Sequence, residues 1–158
     1  MSEPFQPRTD PDVDLRVSTD RGELTAHPAT VLAAIAAGGA LGALARAGLQ
    51  HAVPHPPTGF PWATFAINTS GCLLIGVLMA VLGHLDGGPP LARPFLGVGV
   101  LGGFTTFSTY SVDIQQAIVV GAPGTALAYL AATLLGALVA VALGDNVTAR
   151  LLRRRVTR

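Results

Sequence analysis

Four long apolar segments, separated by stretches rich in proline and glycine, set the pattern of this chain. They run from about 29 to 48, 62 to 83, 94 to 120 and 125 to 143. Each approaches or exceeds the roughly 20 residues that a helix needs to cross a bilayer. The stretches between them hold residues that end helices, such as the prolines at 54, 56, 57 and 61. The pattern predicts an all-α membrane protein with four transmembrane helices per subunit.

The third apolar segment is interrupted by a polar and glycine-rich stretch. It reads Gly102-Gly103-Phe104-Thr105-Thr106-Phe107-Ser108-Thr109-Tyr110. Each glycine weakens a helix by about 1 kcal/mol relative to alanine, and the hydroxyl side chains can bind backbone carbonyls or a ligand. At membrane depth, irregular backbone is tolerated only where protein buries it or where it lines a watery cavity. We therefore expect the third helix to be broken here, at a site for a small solute or ion.

Charged residues are scarce and segregated. They make up 12% of the 158 residues, against about 25% in soluble domains, and the mean hydropathy is +0.52. Between Val31 and Leu85 the only formal charge is Arg46. This distribution indicates an integral membrane protein, and the lack of a basic aromatic patch indicates no nucleic-acid partner. The single cysteine, Cys72, implies neither a disulfide nor a redox centre.

The two ends of the chain differ from its centre. Residues 1–28 carry six acids and three arginines and are predicted to be a disordered tail. Residues 29–145 form the predicted transmembrane domain, and residues 146–158 a basic tail. The five arginines from Arg150 to Arg158 place that tail in the cytoplasm by the positive-inside rule, and four spans place the N-terminus there too. The predicted location is the cell (plasma) membrane.

Four polar residues within the spans have a structural and a functional interpretation. Arg46 is either an arginine that snorkels to the headgroups or a cation at the mouth of an anion path. Asn68 either forms a hydrogen bond between helices, which the residues alone favour, or is a hydrogen-bond donor that faces a pore. Asp113 is either a functional acid within the membrane or, as we favour, a cap of the restarted half-helix or an interfacial residue. Thr133, one turn after Tyr129, either bonds its own backbone or faces the path.

No catalytic set is present, since the sequence holds no HExxH, GxSxG or P-loop motif and no cluster of His and Cys. We therefore expect no enzyme. The polar groups favour a passive path for an anion, because amide and hydroxyl protons and the positive edges of aromatic rings all attract negative charge. The carbonyls freed at a break between Gly102 and Thr105 favour a hard cation such as Na⁺.

Three motifs in order resemble the Fluc/CrcB fluoride channels, over about residues 32 to 144. The first-helix motif is Gly38-Gly39-Ala40-Leu41-Gly42-Ala43-Leu44-Ala45-Arg46, and the second runs from Pro61 to Gly71 with Asn68 in it. The third, Gly102 to Tyr110, is similar to the family's GGxTTFSTF motif.

The resemblance implies an antiparallel dimer with two fluoride pores that let fluoride leave the cytoplasm passively. It implies a structural Na⁺ at the dimer centre, bound by the backbone carbonyls of Gly102 and Thr105. It also implies roles for Arg46 in a vestibule and for the residues of the fluoride path, which are Asn68, Phe107, Ser108, Thr109, Tyr110 and Thr133. Fluoride needs such an exit because HF permeates membranes, ionises at cytoplasmic pH and is trapped as the anion.

Two features depart from the family pattern. Tyr110 stands where the family has phenylalanine, so its hydroxyl must find a partner. The arginine-rich tail should fix one orientation, which predicts pairing with an oppositely oriented homologue rather than with a second copy. The alternative function is an obligate, non-conducting partner subunit of a heterodimeric channel. A small multidrug exporter is disfavoured because the first helix has no glutamate, and a membrane scaffold remains open.

Overall fold

The computed structural model describes residues 28–85 and 87–156, and all the regular structure in these two ranges is helical. The helices are α1 (Pro28–Ala52), α2 (Trp62–His84), α3 (Phe107–Val119) and α4 (Pro123–Val156). A π-helix, Arg93–Leu101, and a single helical turn, Gly102–Phe104, precede α3 and form the third span with it. The predicted disordered tail 1–28 lies outside the described residues except for Pro28.

Within the described ranges, four helical stretches are long and apolar enough to cross a membrane: Ala29–Ala52, Trp62–His84, Arg93–Val119 and Pro123–Arg153. They confirm the four predicted spans, so the chain is a multi-pass membrane protein. Large apolar side chains cover the outside of the subunit, with Leu44 70% exposed and Val119 77% exposed. Such surfaces suit lipid or another transmembrane helix rather than water.

Two helices are longer than the apolar pattern predicted. α1 continues through Gly48 to Ala52, since one glycine costs a helix only about 1 kcal/mol, and Pro54 follows its end. α4 continues past the predicted end at 143 and through the predicted basic tail to Val156. Asn146 does not interrupt it, because its side chain donates to the Ala142 carbonyl one turn earlier, and arginine is a good helix former.

Glycines bring α1 into backbone contact with the third span. A Cβ on Gly38 would meet the Phe95 carbonyl oxygen, and one on Gly42 would meet the carbonyl oxygen of Val100. The third span contributes a glycine to the same contact, since a Cβ on Gly103 would meet the Gly39 carbonyl oxygen of α1. Small residues on both sides thus let the two helices approach at backbone distance, as they commonly do in membrane proteins.

α2 and α4 pack side by side and run in the same direction. Gly136 lies against Phe65 and Thr69, and a Cβ on Gly144, two turns further, would meet the backbone of Leu73 and Val77. The most deeply buried side chains lie on these two helices: Ile67 and Thr64 on α2 and Tyr129 on α4. The pair forms a scaffold on which the middle of the third span rests.

Candidate functional site

Two residues of extended backbone, Thr105 and Thr106, separate the turn Gly102–Phe104 from α3. Thr105 has φ −74° and ψ 157°, and Thr106 has φ −148° and ψ 121°. This extended dipeptide is shorter than the irregular stretch predicted over Gly102 to Tyr110. Both glycines remain helical, and Gly103 lies against the backbone of Gly39 on α1, whereas the residues from Phe107 onward form the first turn of α3.

The side chain of Asn68, on α2, holds the extended dipeptide through two hydrogen bonds. The Thr106 N–H donates to Oδ1 at 2.8 Å, and Nδ2 donates to the Thr106 carbonyl at 3.0 Å. The carboxamide thus takes the place of the helical bonds that the extended backbone gives up. Because a carboxamide carries two N–H donors, Asn68 has a second N–H beyond the one that Thr106 uses.

Replacing Asn68 by leucine is expected to lower the free energy of unfolding by about 2 kcal/mol, because both backbone groups of Thr106 lose their partner inside the protein. Thermal unfolding in detergent measures the loss. The matched control is Ser70→Ala on the same helix. The Ser70 hydroxyl donates to the Ala66 carbonyl at 2.6 Å within α2, so its removal should change little. Equal melting temperatures for the two variants would contradict the anchoring role of Asn68.

The carbonyl oxygens of Gly102 and Thr105 lose their usual helical donors at the extended dipeptide. In a continuous helix they would accept from the N–H groups of Thr106 and Thr109. Instead, Thr106 donates to Asn68, and the Thr109 N–H donates to the Thr106 hydroxyl at 3.1 Å. Gly102 is exposed and Thr105 half-buried, so both oxygens lie near the surface of the subunit.

The hydroxyl of Thr106 is the N-cap of α3 and the centre of a small hydroxyl cluster. It donates to Thr109 Oγ1 at 3.0 Å and lies 3.3 Å from Ser108 Oγ. The interpretation of Asp113 as the cap of the restarted helix is therefore wrong. Thr106 caps α3 through its own hydroxyl, whereas Asp113, nearly two turns further on, faces Tyr129 and the loop that follows α1.

Two further hydroxyls are buried without a hydrogen-bond partner among the described residues: Thr69 Oγ1 on α2 and Thr133 Oγ1 on α4. Thr133 therefore does not bond its own backbone, which was one of its two interpretations. Thr69 lines a mostly apolar groove between α2 and α4, together with Phe65 and Gly136. Sequence reasoning missed Thr69, although its place directly after Asn68 was a usable signal.

Aromatic rings adjoin the hydroxyl cluster. The centroids of Phe107 and Tyr110 lie 5.8 Å apart, and the Tyr110 ring lies 5.1 Å from that of Tyr129. The Tyr110 hydroxyl donates to the Leu130 carbonyl on α4 at 3.1 Å, which provides the partner that a tyrosine at this position requires. Phe107 is 79% exposed on the isolated subunit, so its ring is available to a neighbouring molecule.

Arg46, near the end of α1, turns toward the third span. Its Nε donates to the Gly103 carbonyl at 3.1 Å, and the residue is half-buried. This bond leaves the rest of the guanidinium for another partner and sets a positive charge beside the turn that precedes the extended dipeptide. The geometry thus directs the Arg46 side chain toward the third span of the subunit.

The structure thus brings most of the predicted site residues to one region around the extended dipeptide. Asn68, Thr105, Ser108 and Thr109 contact one another directly or through Thr106, and Arg46 contacts the adjoining turn. Thr133 is buried one turn along α4 from Tyr129. The arrangement offers amide, hydroxyl and guanidinium donors and aromatic edges, which together suit a small anion.

Comparison with known proteins identifies relatives over the whole membrane part of the chain. A model of the family described as CrcB-like protein, Camphor Resistance (CrcB), matches residues 33–145. The fluoride-specific ion channel FluC 2 of Thermobifida fusca is 56% identical over 128 residues, which are 81% of this chain and 95% of the relative. The fluoride-specific ion channel FluC 1 of Streptomyces coelicolor is 50% identical over 127 residues, 80% of this chain and 82% of that protein.

Proposed function

This chain belongs to the CrcB (Fluc) family, and we propose that it forms a fluoride-selective channel that lowers cytoplasmic fluoride by passive efflux. The family is one of ion channels, so the chain is not an enzyme. Its relatives at 56% and 50% identity carry the name fluoride-specific ion channel. The observation that carries the proposal is the pair of buried hydroxyls without a partner among the described residues, those of Thr69 and Thr133, which we propose belong to one row of donors near the extended dipeptide.

A desolvated anion needs such donors. A buried hydroxyl without a partner costs about 1–3 kcal/mol, and a passing fluoride would satisfy it. The second N–H of Asn68, the hydroxyls of Ser108 and Thr109, and the ring edges of Phe107 and Tyr110 extend the same row. We assign these residues to the fluoride path, with Arg46 in the vestibule that collects the anion from water.

The proposed channel is an antiparallel dimer. Two features of the isolated subunit support a partner: Phe107 is 79% exposed, and the groove between α2 and α4 is lined by small residues such as Ala66, Gly136 and Ala140. Small residues are those that let another transmembrane segment approach closely. An exposed aromatic ring on one subunit and an open groove on the other are complementary surfaces for such an assembly.

A structural sodium ion at the dimer centre also belongs to this proposal. The carbonyls of Gly102 and Thr105 fit such an ion, because both are hard oxygen donors that have lost their helical partners and lie near the subunit surface. A two-fold axis beside them would supply four oxygens from two subunits. When bound, the ion joins the two third spans and does not move along the path.

Removing Na⁺ is expected to destabilise the dimer. Replacing it by N-methylglucamine should lower stability by about 3 kcal/mol if the initial sodium concentration is 100-fold above the dissociation constant. Thermal unfolding at matched ionic strength measures the difference, with potassium as a second replacement. Identical unfolding curves in sodium and N-methylglucamine would contradict the proposed sodium site.

Fluoride efflux from liposomes that contain this chain alone tests the proposed function. We expect fluoride to leave at a rate far above that of protein-free liposomes, while chloride remains inside. A folded protein that releases neither ion would contradict a self-sufficient channel. The proposed location is the plasma membrane. The arginine-rich C-terminal end favours cytoplasmic termini, whereas in an antiparallel dimer of two copies one subunit has its termini outside.

The second candidate function is an obligate partner subunit that conducts only beside an oppositely oriented homologue. The charge bias favours it, since five arginines lie between Arg150 and the C-terminal Arg158 while the first and third interhelical loops carry none. We expect tags at either terminus to be accessible from the cytoplasmic side alone in most molecules. Comparable populations in both orientations would contradict this candidate and support a homodimer.

A further inference from the structure

Helix α4 is longer than a membrane is thick. Its 34 residues extend over about 51 Å at about 1.5 Å per residue, whereas the hydrocarbon core of a bilayer is about 30 Å thick. Its first turn lies against the loop that precedes α2, since the Thr125 hydroxyl donates to the Thr58 carbonyl at 3.4 Å. The excess length of about 20 Å therefore lies mainly at the C-terminal end, which is rich in arginine.

Contacts between α2 and α4 fix the height of these arginines relative to the membrane. A Cβ on Gly76 of α2 would meet the Val141 carbonyl oxygen of α4, and the two helices run in the same direction. α2 continues for about two turns beyond Gly76 and ends at His84, so its end lies at about the height of Arg150 to Arg153 on α4. The first arginines of α4 therefore lie where the neighbouring span leaves the membrane, at the height of the phospholipid headgroups.

The arginines also continue a face of α4 that is open to lipid. Leu135 is 61% exposed, and Arg153 follows it after about five helical turns, so the two residues share one face. Arg150 and Arg153 are both exposed on the subunit, as is Leu151 between them. An arginine at this height can lay its apolar stem along the acyl chains and hold its guanidinium among the headgroups.

Positive charge is concentrated in the segments that adjoin this boundary. Segments 85–93 and 144–158 together carry two acids, Asp86 and Asp145, and six arginines, which are Arg93, Arg150, Arg153, Arg154, Arg155 and Arg158. A guanidinium presents its N–H groups in a planar fork that matches two oxygens of a phosphate. One arginine near an anionic membrane surface strengthens binding about fivefold. The excess of arginine thus suits the phosphate of an anionic phospholipid.

We propose that the C-terminal end of α4 binds the headgroups of anionic phospholipids, such as phosphatidylglycerol, in the leaflet where α4 ends. A lipid fits better than a soluble phosphate, because the same face of α4 carries leucine for the acyl chain and arginine for the phosphate. Zwitterionic phosphatidylcholine lacks the net negative charge on which the attraction depends. The inference is independent of the proposed fluoride path, since none of these arginines is assigned to it.

Retention of lipid during purification tests the proposal on the full chain. The protein is reconstituted in vesicles of equal parts phosphatidylglycerol and phosphatidylcholine and extracted in a mild detergent, and the lipids that remain bound are counted. We expect wild type to retain phosphatidylglycerol in at least about fivefold excess, the factor that one arginine contributes. Extraction at about 1 M salt, where the Debye length is about 3 Å, should abolish the excess.

A variant without the C-terminal arginines should retain the two lipids equally. It combines Arg150→Gln, Arg153→Gln, Arg154→Gln, Arg155→Gln and Arg158→Gln. Glutamine forms helix about as well as arginine, so α4 should persist, and thermal unfolding checks that it does. The matched control removes arginines from the N-terminal segment, outside the described residues, and should keep the wild-type excess; it combines Arg8→Gln, Arg16→Gln and Arg21→Gln.

Equal retention of the two lipids by wild type, or an undiminished excess in the variant without the C-terminal arginines, would overturn the inference. Displacement of phosphatidylglycerol by inorganic phosphate at matched ionic strength would assign the arginines to free phosphate and contradict a lipid site. The acidic N-terminal segment is the competing partner. If amides in place of its six acids produced an excess of phosphatidylglycerol that wild type lacks, the arginines would bind that segment instead of lipid.

Discussion

Replacing Phe107 by isoleucine is expected to reduce fluoride efflux to the rate of protein-free liposomes while the protein stays folded. The ring of Phe107 is 79% exposed on the subunit, so its loss removes little packing within the subunit. The ring lies 5.8 Å from that of Tyr110 between centroids, and Phe107 stands in the chain between Thr106 and Ser108 of the hydroxyl cluster. Isoleucine keeps apolar bulk at the same position but has no positive ring edge to offer an anion.

The size of the effect follows from the cost of removing an anion from water. Transferring an ion into a protein interior costs several kcal/mol unless other groups replace its hydration, and each 1.4 kcal/mol is a factor of ten in rate. Loss of one ring from a narrow row of donors is therefore expected to stop conduction rather than to slow it.

Efflux of fluoride and of chloride, measured side by side on wild type and Phe107→Ile, checks the prediction. Trp62→Leu is the matched control. That aromatic ring is also exposed, at 62%, but it packs on Phe60 at 4.5 Å and lies outside the proposed path. Fluoride flux that persists in Phe107→Ile would contradict a role of this ring in the fluoride path. Equal losses of fluoride flux in Phe107→Ile and Trp62→Leu would indicate a general folding defect.

The four spans could be predicted from the sequence because the bilayer itself sets their length. A membrane requires about 20 apolar residues per helix, and no competing structure satisfies the backbone there. The same constraint made the irregular stretch of the third span recognisable in the sequence, because glycine and hydroxyl residues interrupt a segment that is otherwise apolar. Its extent was overestimated because Gly102 and Gly103 suggested flexibility, whereas Gly103 is needed for contact with the backbone of Gly39.

Contacts between distant residues lay beyond sequence reasoning. Asn68 and Thr106 are 38 positions apart, and only the fold makes the side chain a substitute for helical bonds. A single sequence cannot reveal that Asp113 faces Tyr129 and His55, because nothing in its own helix distinguishes a capping acid from one that meets a loop. Thr69 was passed over because a hydroxyl in a transmembrane helix normally bonds its own backbone.

Gly42→Ala is expected to destabilise the protein by at least about 3 kcal/mol, the upper end of the usual cost of overpacking. A methyl group there would overlap the Val100 carbonyl oxygen and lie 2.7 Å from the Phe104 nitrogen. Both obstacles are backbone atoms, which cannot swing aside as a flexible side chain does. Relief would require α1 to separate from the third span, and the packing of Gly38 on Phe95 and Val100 would be lost with it.

Gly48→Ala on the same helix is the matched control, since a Cβ there meets no atom within 4 Å. It should raise stability by up to about 1 kcal/mol, the difference in helix propensity. Thermal unfolding in detergent, followed by the fluorescence of the single tryptophan, Trp62, compares the two variants. A melting temperature that falls in Gly42→Ala and rises in Gly48→Ala would establish that α1 depends on backbone contact at Gly42 and not merely on glycine content. Equal melting temperatures would contradict that packing. Because Phe104 directly precedes the extended dipeptide, any Gly42→Ala protein that still folds should have lost the alignment of the Thr105 carbonyl, and with it the sodium dependence that we propose.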